Sequence, residues 1–205
     1  MNALALVLYL VFLGAAFGWR TWVQWRRTGD TGLRLAATPG TVQWWAKLGF
    51  VAAVLAGLAA PIVGLAGLDP VALLDREAVQ VVGAVVAVLG IVATLAAQVQ
   101  MGTSWRIGVD PSERTGLVTA GIFGWVRNPI FTAMLLAAVG FTLLVGNVVA
   151  VLALAALVVA IEVQVRAVEE PYLREVHGAE FDRYVARTGR FLPGLGRARR
   201  TGLAG

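Results

Sequence analysis

The chain has 205 residues, 59% hydrophobic and 14% charged, whereas a soluble domain is about a quarter charged. The deficit falls in blocks, as it does in membrane spans. With no cysteine and one histidine, His177, disulfides, thiolate metal sites and cysteine nucleophiles are excluded, and little remains for a histidine metal site or a Ser-His triad.

Residues 1–19 carry no charge and then meet Arg20. A cleaved signal peptide places its basic residues before the apolar run, so this order reads as a retained first span. The loop 20–47 follows, and within it "RRTGDTGLRLAATPG" (26–40) reads as a solvated, Gly/Thr-rich cytoplasmic connection. A second uncharged run, 48–68, is long enough for one helix, since about 20 residues cross a hydrocarbon core of about 30 Å. The short loop 69–77 holds Asp69, Asp75 and Glu77. A third span over Val79 to Val99 ends beside Gln98 and Gln100.

The next loop, "QMGTSWRIGVDPSERTGLVTAGIFGWVRNP", is the most organised in the chain. Its glycines form no phosphate-binding fingerprint. It offers Trp105, Arg106 and Arg127, and Asp110-Pro111 reads as a turn. The uncharged run 128–161 is too long for one crossing and has one strong turn signal, Gly146-Asn147. That signal predicts a tight hairpin, 129–145 and 148–168, with Pro129 in the first turn and Asn128 as N-cap.

The fold expected is therefore an all-α integral membrane protein with five transmembrane helices, three of them in residues 1–99. Five spans put every Lys and Arg except Arg76 on one side. The positive-inside rule then places the N-terminus outside and the C-terminal tail in the cytoplasm, across the plasma membrane if the source is bacterial.

Glu162 and Arg166 are spaced for an i,i+4 pair at the end of span five. Glu169 and Glu170 precede Pro171, which disfavours helical geometry at Glu170 and predicts a bend that re-aims its carboxylate. Gly178 reads as a helix stop after His177. "AEFDRYVART" then forms a short amphipathic helix with Phe181, Tyr184 and Val185 on one face. Arg190 precedes a Pro/Gly break, and Arg197, Arg199 and Arg200 suit anionic lipid head groups. Nothing in the tail resembles a base-reading module, so nucleic acid is not an expected partner.

Several of these features occur together in one known group. "LVTAGIFGWVRNPIF", the hairpin, Glu169-Glu170 and "HGAEFDRYVARTGRFLP" give residues 100–193 the pattern of the isoprenylcysteine carboxyl methyltransferase family. Phosphatidylethanolamine N-methyltransferases are more distant in pattern. The family's Arg-His-Pro element falls on Arg127, Asn128 and Pro129. Its tail elements fall on Glu180, Phe181, Tyr184, Arg190 and Pro193. Asn128 replaces the usual His and Phe131 the usual Tyr, which removes a group that titrates near neutral pH and a hydroxyl.

The resemblance implies a catalytic half over 100–205: a cofactor loop 100–128, the hairpin 129–168 and a tail 169–205. S-adenosylmethionine would bind on the cytoplasmic side beside a cavity open to lipid. The implied cofactor contacts are Val118, Gly121, Arg127, Asn128, Pro129, Glu169, Glu170, His177 and Tyr184, and the catalytic roles fall to Asn128, Glu170 and Arg174. No metal is implied. Arg127 or Arg174 suits the cofactor's carboxylate, Glu169 or Glu170 its ammonium, and Trp105, Trp125 or Tyr172 its adenine. Glu162 or Glu170 would serve as base for an amine acceptor. The expected activity is methyl transfer to a lipidic or apolar small molecule, with membrane lipids as the surroundings and oligomeric state left open. Two other readings stand beside it: an NADPH-dependent membrane reductase of the sterol-reductase type, and a non-catalytic membrane protein.

Overall fold

A computed structural model describes residues 1–109 and 116–197. The Asp110-Pro111 turn, Arg199 and Arg200 lie outside the described residues. Among those described, the fold is helical, and the extended backbone pairs only at two isolated parallel bridges, Leu33 with Ile107 and Val126 with Gly189.

The first helix, α1, runs over Asn2–Thr28 and does not stop at Arg20 as the charge pattern suggested. Nothing between Gly18 and Thr28 breaks a helix, and the chain ends it at Gly29, whose φ of 74° is left-handed. Its middle, Gly14–Trp19, is π-helical. Beyond that, Arg20 and Gln24 share a buried face while Trp22, Trp25 and Arg26 face outward. Helix α2 (Val42–Leu65) is capped by Thr41, whose hydroxyl accepts from Trp44 N at 3.3 Å. Helix α3 (Glu77–Met101) continues as a 3-10 turn, Gly102–Ser104.

Helix α4 (Pro129–Val145) begins with Pro129 at a position where its missing N–H is not needed. Gly146, with φ 71°, and Asn147 then join it to α5. The Asn147 side chain accepts from Ala150 N at 3.0 Å and donates to Ala60 O on α2 at 2.8 Å, tying the turn to the bundle. Helix α5 extends over Val148–His177, and α6 covers Ala179–Arg187. Gly178 separates them as anticipated, with φ 50°.

The bend anticipated at Glu170-Pro171 is not present. Glu170 is helical (φ −63°, ψ −41°), and the segment before it, Gln164–Glu169, is π-helical. Widening the turn before a proline shifts the hydrogen-bond pattern without breaking the rod. The carboxylates are therefore aimed by a bulge inside a continuous helix.

Four helices, α1, α2, α3 and α5, are long and apolar enough to cross a membrane. Helix α4 is apolar but has 17 residues, or about 26 Å at 1.5 Å per residue, against a hydrocarbon core of about 30 Å. It packs closely on α3 through small residues. A Cβ on Gly83 would meet Leu144 N at 2.5 Å, and one on Gly140 would meet Ala87 Cα at 2.6 Å. Close backbone approach of this kind drives helix association where lipid supplies no hydrophobic force.

The helices alternate in direction. At one end, Val71 N donates to Gly146 O at 2.8 Å, and Asn2 lies against Gly64. At the other, Arg20 reaches Gly102 O, and Gln100 accepts from Ile122 N at 2.9 Å. Among the described residues, every Lys and Arg except Arg76 belongs to segments at that second end. The segment 26–40 is more than a solvated connection there. Ile107 N donates to Gly32 O and Arg34 N to Ile107 O, each at 2.8 Å.

Candidate active site

The loop before α4, the end of α5 and the tail after α6 converge at the arginine-rich end. Local backbone pairing makes the junction. Arg127 N donates to Gly189 O at 2.8 Å and Asn128 N to Arg190 O at 3.1 Å, which lays the tail along the residues that lead into α4. Asn128 stands at the N-cap position but makes no side-chain cap. Its Nδ2 instead donates to Arg190 O at 3.1 Å. The Thr132 hydroxyl adds a bond to Phe191 O at 2.9 Å. Gly189 is needed at the crossing, because a Cβ there would run into Leu192 O.

Three charged groups are enclosed by this pairing. Arg127, 8% exposed, donates through Nη2 to Glu170 Oε1 at 2.9 Å and to Gly196 O at 3.0 Å. Through Nη1 it donates to Thr188 O and, at 3.4 Å, to Val185 O. Arg190 grips the same carboxylate in a fork, Nε to Oε1 at 2.7 Å and Nη2 to Oε2 at 2.8 Å. That grip holds the Arg190 guanidinium above its ordinary pKa. Two cations on one anion leave the triad with a net charge of +1, and Arg190 is its outer, more exposed member.

Glu169 points elsewhere, as adjacent helical residues do. Its Oε1 accepts from Gln164 Nε2 at 3.1 Å. His177, at the end of α5, is half-buried, and its Nε2 is enclosed without a hydrogen-bond partner. On α6, Phe181, Tyr184 and Val185 form the buried face that the amphipathic pattern required, with Leu117 and Leu173 packed on it. Burial pushes the Tyr184 phenol up to about 12, so it stays protonated and donates to Phe123 O at 2.6 Å. This bond fixes the segment that carries Gly121 and Val118. Gly121 has φ 61°, and a Cβ on it would meet Gln100 Oε1 at 2.6 Å, so the turn requires glycine.

Arg174 lies apart from the triad. It is exposed and pairs with Asp182 Oδ1 at 3.0 Å. Glu162 pairs with Arg166 at the anticipated i,i+4 spacing. Trp105 is buried against Arg20 on the α1 side, whereas Trp125, 71% exposed, stands on the loop next to Arg127. Arg190 was visible in the sequence as a tail element, but its role as the second clamp on Glu170 was not. The parallel pairing of Val126 with Gly189 is what delivers it.

A phospholipid methyltransferase family model matches residues 78–180. The chain belongs to the phospholipid methyltransferase family. It is an integral-membrane methyltransferase, and the matched group is the more distant of the two that its motifs resemble. No curated protein matches the chain. The matched segment spans α3, α4, α5 and the start of α6, and so contains Arg127, Glu169 and Glu170. Arg190, which completes the triad, and Arg20 fall outside it.

Proposed function

We propose that the protein transfers a methyl group from S-adenosylmethionine to a lipidic acceptor at the arginine-rich end of the bundle. The observation that carries this reading is the enclosed Arg127–Glu170–Arg190 triad, with its excess positive charge, one residue from a second carboxylate. The cofactor has a carboxylate, an ammonium and an adenine, and this end of the bundle offers a residue of suitable chemistry for each. Glu170 is committed to two guanidiniums, so Glu169 is the carboxylate for the ammonium. Arg190 holds Glu170 through Nε and Nη2, and its Nη1 is the donor for the carboxylate. Trp125 supplies an exposed ring beside Arg127 for the adenine.

When bound, the cofactor supplies an electrophilic methyl carbon whose bond to sulfur breaks in line as the acceptor attacks. The protein's part is placement and exclusion of water. Glu170 acts as a positioning residue, since it orients both arginines. The tail residues 188–196, folded over Arg127, shield the reacting groups from the aqueous side. A carboxylate or phosphate acceptor needs no base, whereas an amine must arrive unprotonated. Asn128, spent on Arg190 O, offers no titrating group to deprotonate one.

In this reading α4 makes a fifth, short crossing with α5 as its return arm. The N-terminus lies outside and the arginine-rich end faces the cytoplasm. The acceptor reaches the site from the bilayer, in keeping with a family of membrane methyltransferases. Incubating the purified protein with S-adenosylmethionine labelled in its methyl group and a total membrane lipid extract tests the proposal. Label should enter the organic phase with the wild type and not with Arg190→Ala. Label confined to the aqueous phase, from folded protein that binds the cofactor, would exclude a lipidic acceptor.

A further inference from the structure

A second buried arginine stands at the same end of the bundle, outside the triad. Arg20 is 2% exposed. It donates from Nη1 to Gln24 Oε1 at 3.2 Å and from Nη2 to Gly102 O at 2.5 Å. Its guanidinium lies over the Trp105 ring, 4.6 Å from the centroid. Among the described residues no carboxylate comes within ion-pair range of it, and its Nε is buried with no hydrogen-bond partner. Buried charges in proteins are ordinarily paired. The C-terminal end of α3, which Arg20 caps through Gly102 O, offsets roughly half a charge. Among the described residues no group compensates the remainder.

A second orphan lies on the same helix contact. Gln98 on α3 is 3% exposed. Its Nε2 donates at 3.0 Å to Ala16 O, one turn before Arg20, while its Oε1 is buried without a partner. An unsatisfied donor on a cation and an unsatisfied acceptor thus occur together where α1 meets α3. The π-helical segment Gly14–Trp19 runs directly into Arg20, and such bulges inside α-helices mark functional sites more often than chance. Position along the bundle specifies the ligand further. Arg20 is about 27 Å along the helix from Asn2, close to the thickness of a hydrocarbon core, about 30 Å. Trp19, Trp22 and Trp25 are exposed on the same stretch of α1, as interfacial tryptophans are.

We infer that Arg20, with Gln24, Gln98 and Trp105, forms a binding site for the phosphate of a membrane lipid head group. A phosphate oxygen takes the Arg20 Nε–H and neutralises the guanidinium. A hydroxyl or ammonium next to the phosphate satisfies Gln98 Oε1. The 3-10 turn Gly102–Ser104, held to α1 by Arg20 and by Gln24 Nε2 on Thr103 O at 2.8 Å, borders the site. The site is built by α1 and α3 and does not depend on methyl transfer, so it stands or falls separately from the proposed reaction.

Native mass spectrometry of the full-length protein, without S-adenosylmethionine, tests it. The probes are phosphatidylglycerol and, as a phosphate-free lipid, diacylglycerol. Thermal unfolding with inorganic phosphate forms a second arm. The wild type should retain one phosphatidylglycerol in preference to diacylglycerol, and Arg20→Gln should weaken that retention about tenfold or more. Arg20→Lys, which keeps the charge but removes Nε and the planar fork, should also weaken it and serves if the Gln variant does not fold. The double variant Arg26→Gln/Arg27→Gln should retain the lipid as the wild type does. Stabilisation by inorganic phosphate that is lost in the Arg20 variants would make the phosphate itself the recognised group. Equal retention in the Arg20 variants, equal retention of diacylglycerol, or a loss that follows Arg26 and Arg27 would overturn the inference.

Discussion

Arg127 and Arg20 are both buried arginines at the arginine-rich end of one helical bundle, yet they are held in opposite ways. Arg127 meets a carboxylate that a second arginine also grips, and backbone carbonyls of the tail accept from its Nη groups, while its Nε, like that of Arg20, is buried without a partner. Arg20 meets an amide oxygen, a carbonyl and an indole face. The first arrangement is a closed ionic network that draws three distant segments together. The second is a cation whose countercharge is missing among the described residues. The difference teaches where each segment's stability resides: the junction of α4, α5 and the tail depends on charge pairing, and the α1–α3 junction on neutral hydrogen bonds and packing.

Removing the carboxylate should separate the two most sharply. Glu170→Gln leaves Arg127 and Arg190 without an anion, and breaking a buried pair from one side costs about 3–5 kcal/mol. Arg20→Gln removes a charge without stranding another and should cost about 1–2 kcal/mol, the scale of the hydrogen bonds lost. Denaturant unfolding of both variants in the same detergent measures the gap. Equal losses would mean that the triad is no more important to the fold than the α1 arginine.

Gly189→Ala attacks the crossing rather than the charges. A Cβ there collides with Leu192 O, so the tail must lift from Val126–Asn128. The expected loss is about 1–3 kcal/mol, as for other overpacked sites. Limited proteolysis should cut within 188–197 faster in this variant and leave the 102–109 loop at its wild-type rate. Asn128→Ala is milder. It removes the side-chain bond to Arg190 O but leaves the backbone bond from Asn128 N, so about 1 kcal/mol is expected in the same unfolding assay.

The parts of this picture that local chemistry announces were legible in the sequence. Gly146-Asn147 interrupts an uncharged run, so the α4–α5 turn could be placed to the residue. Because those helices run antiparallel, Arg127 and Glu170 were brought together at the open end, while Glu169 turned to Gln164 instead. The α6 face of Phe181, Tyr184 and Val185 followed from spacing alone. Long-range backbone geometry was not legible. Arg190 reaches Glu170 only because the tail lies parallel to Val126–Asn128, and no local signal encodes that pairing. The π-helical turn before Glu170 replaced the bend that Pro171 suggested. Arg20 looked like the end of a span, because a charge after an apolar run marks the membrane boundary, not the end of the helix.

Glu169→Gln is the change expected to disturb the fold least and the proposed chemistry most. The amide is isosteric and can still accept from Gln164, so stability should shift by roughly 0.5 kcal/mol or less. Isothermal titration of the wild type and this variant with S-adenosylhomocysteine, which keeps the ammonium and carboxylate, tests the assignment most directly. The wild type should bind one equivalent, and Glu169→Gln should bind about tenfold or more weakly with its fold intact. No binding by folded wild type, or equal binding by the two, would contradict it.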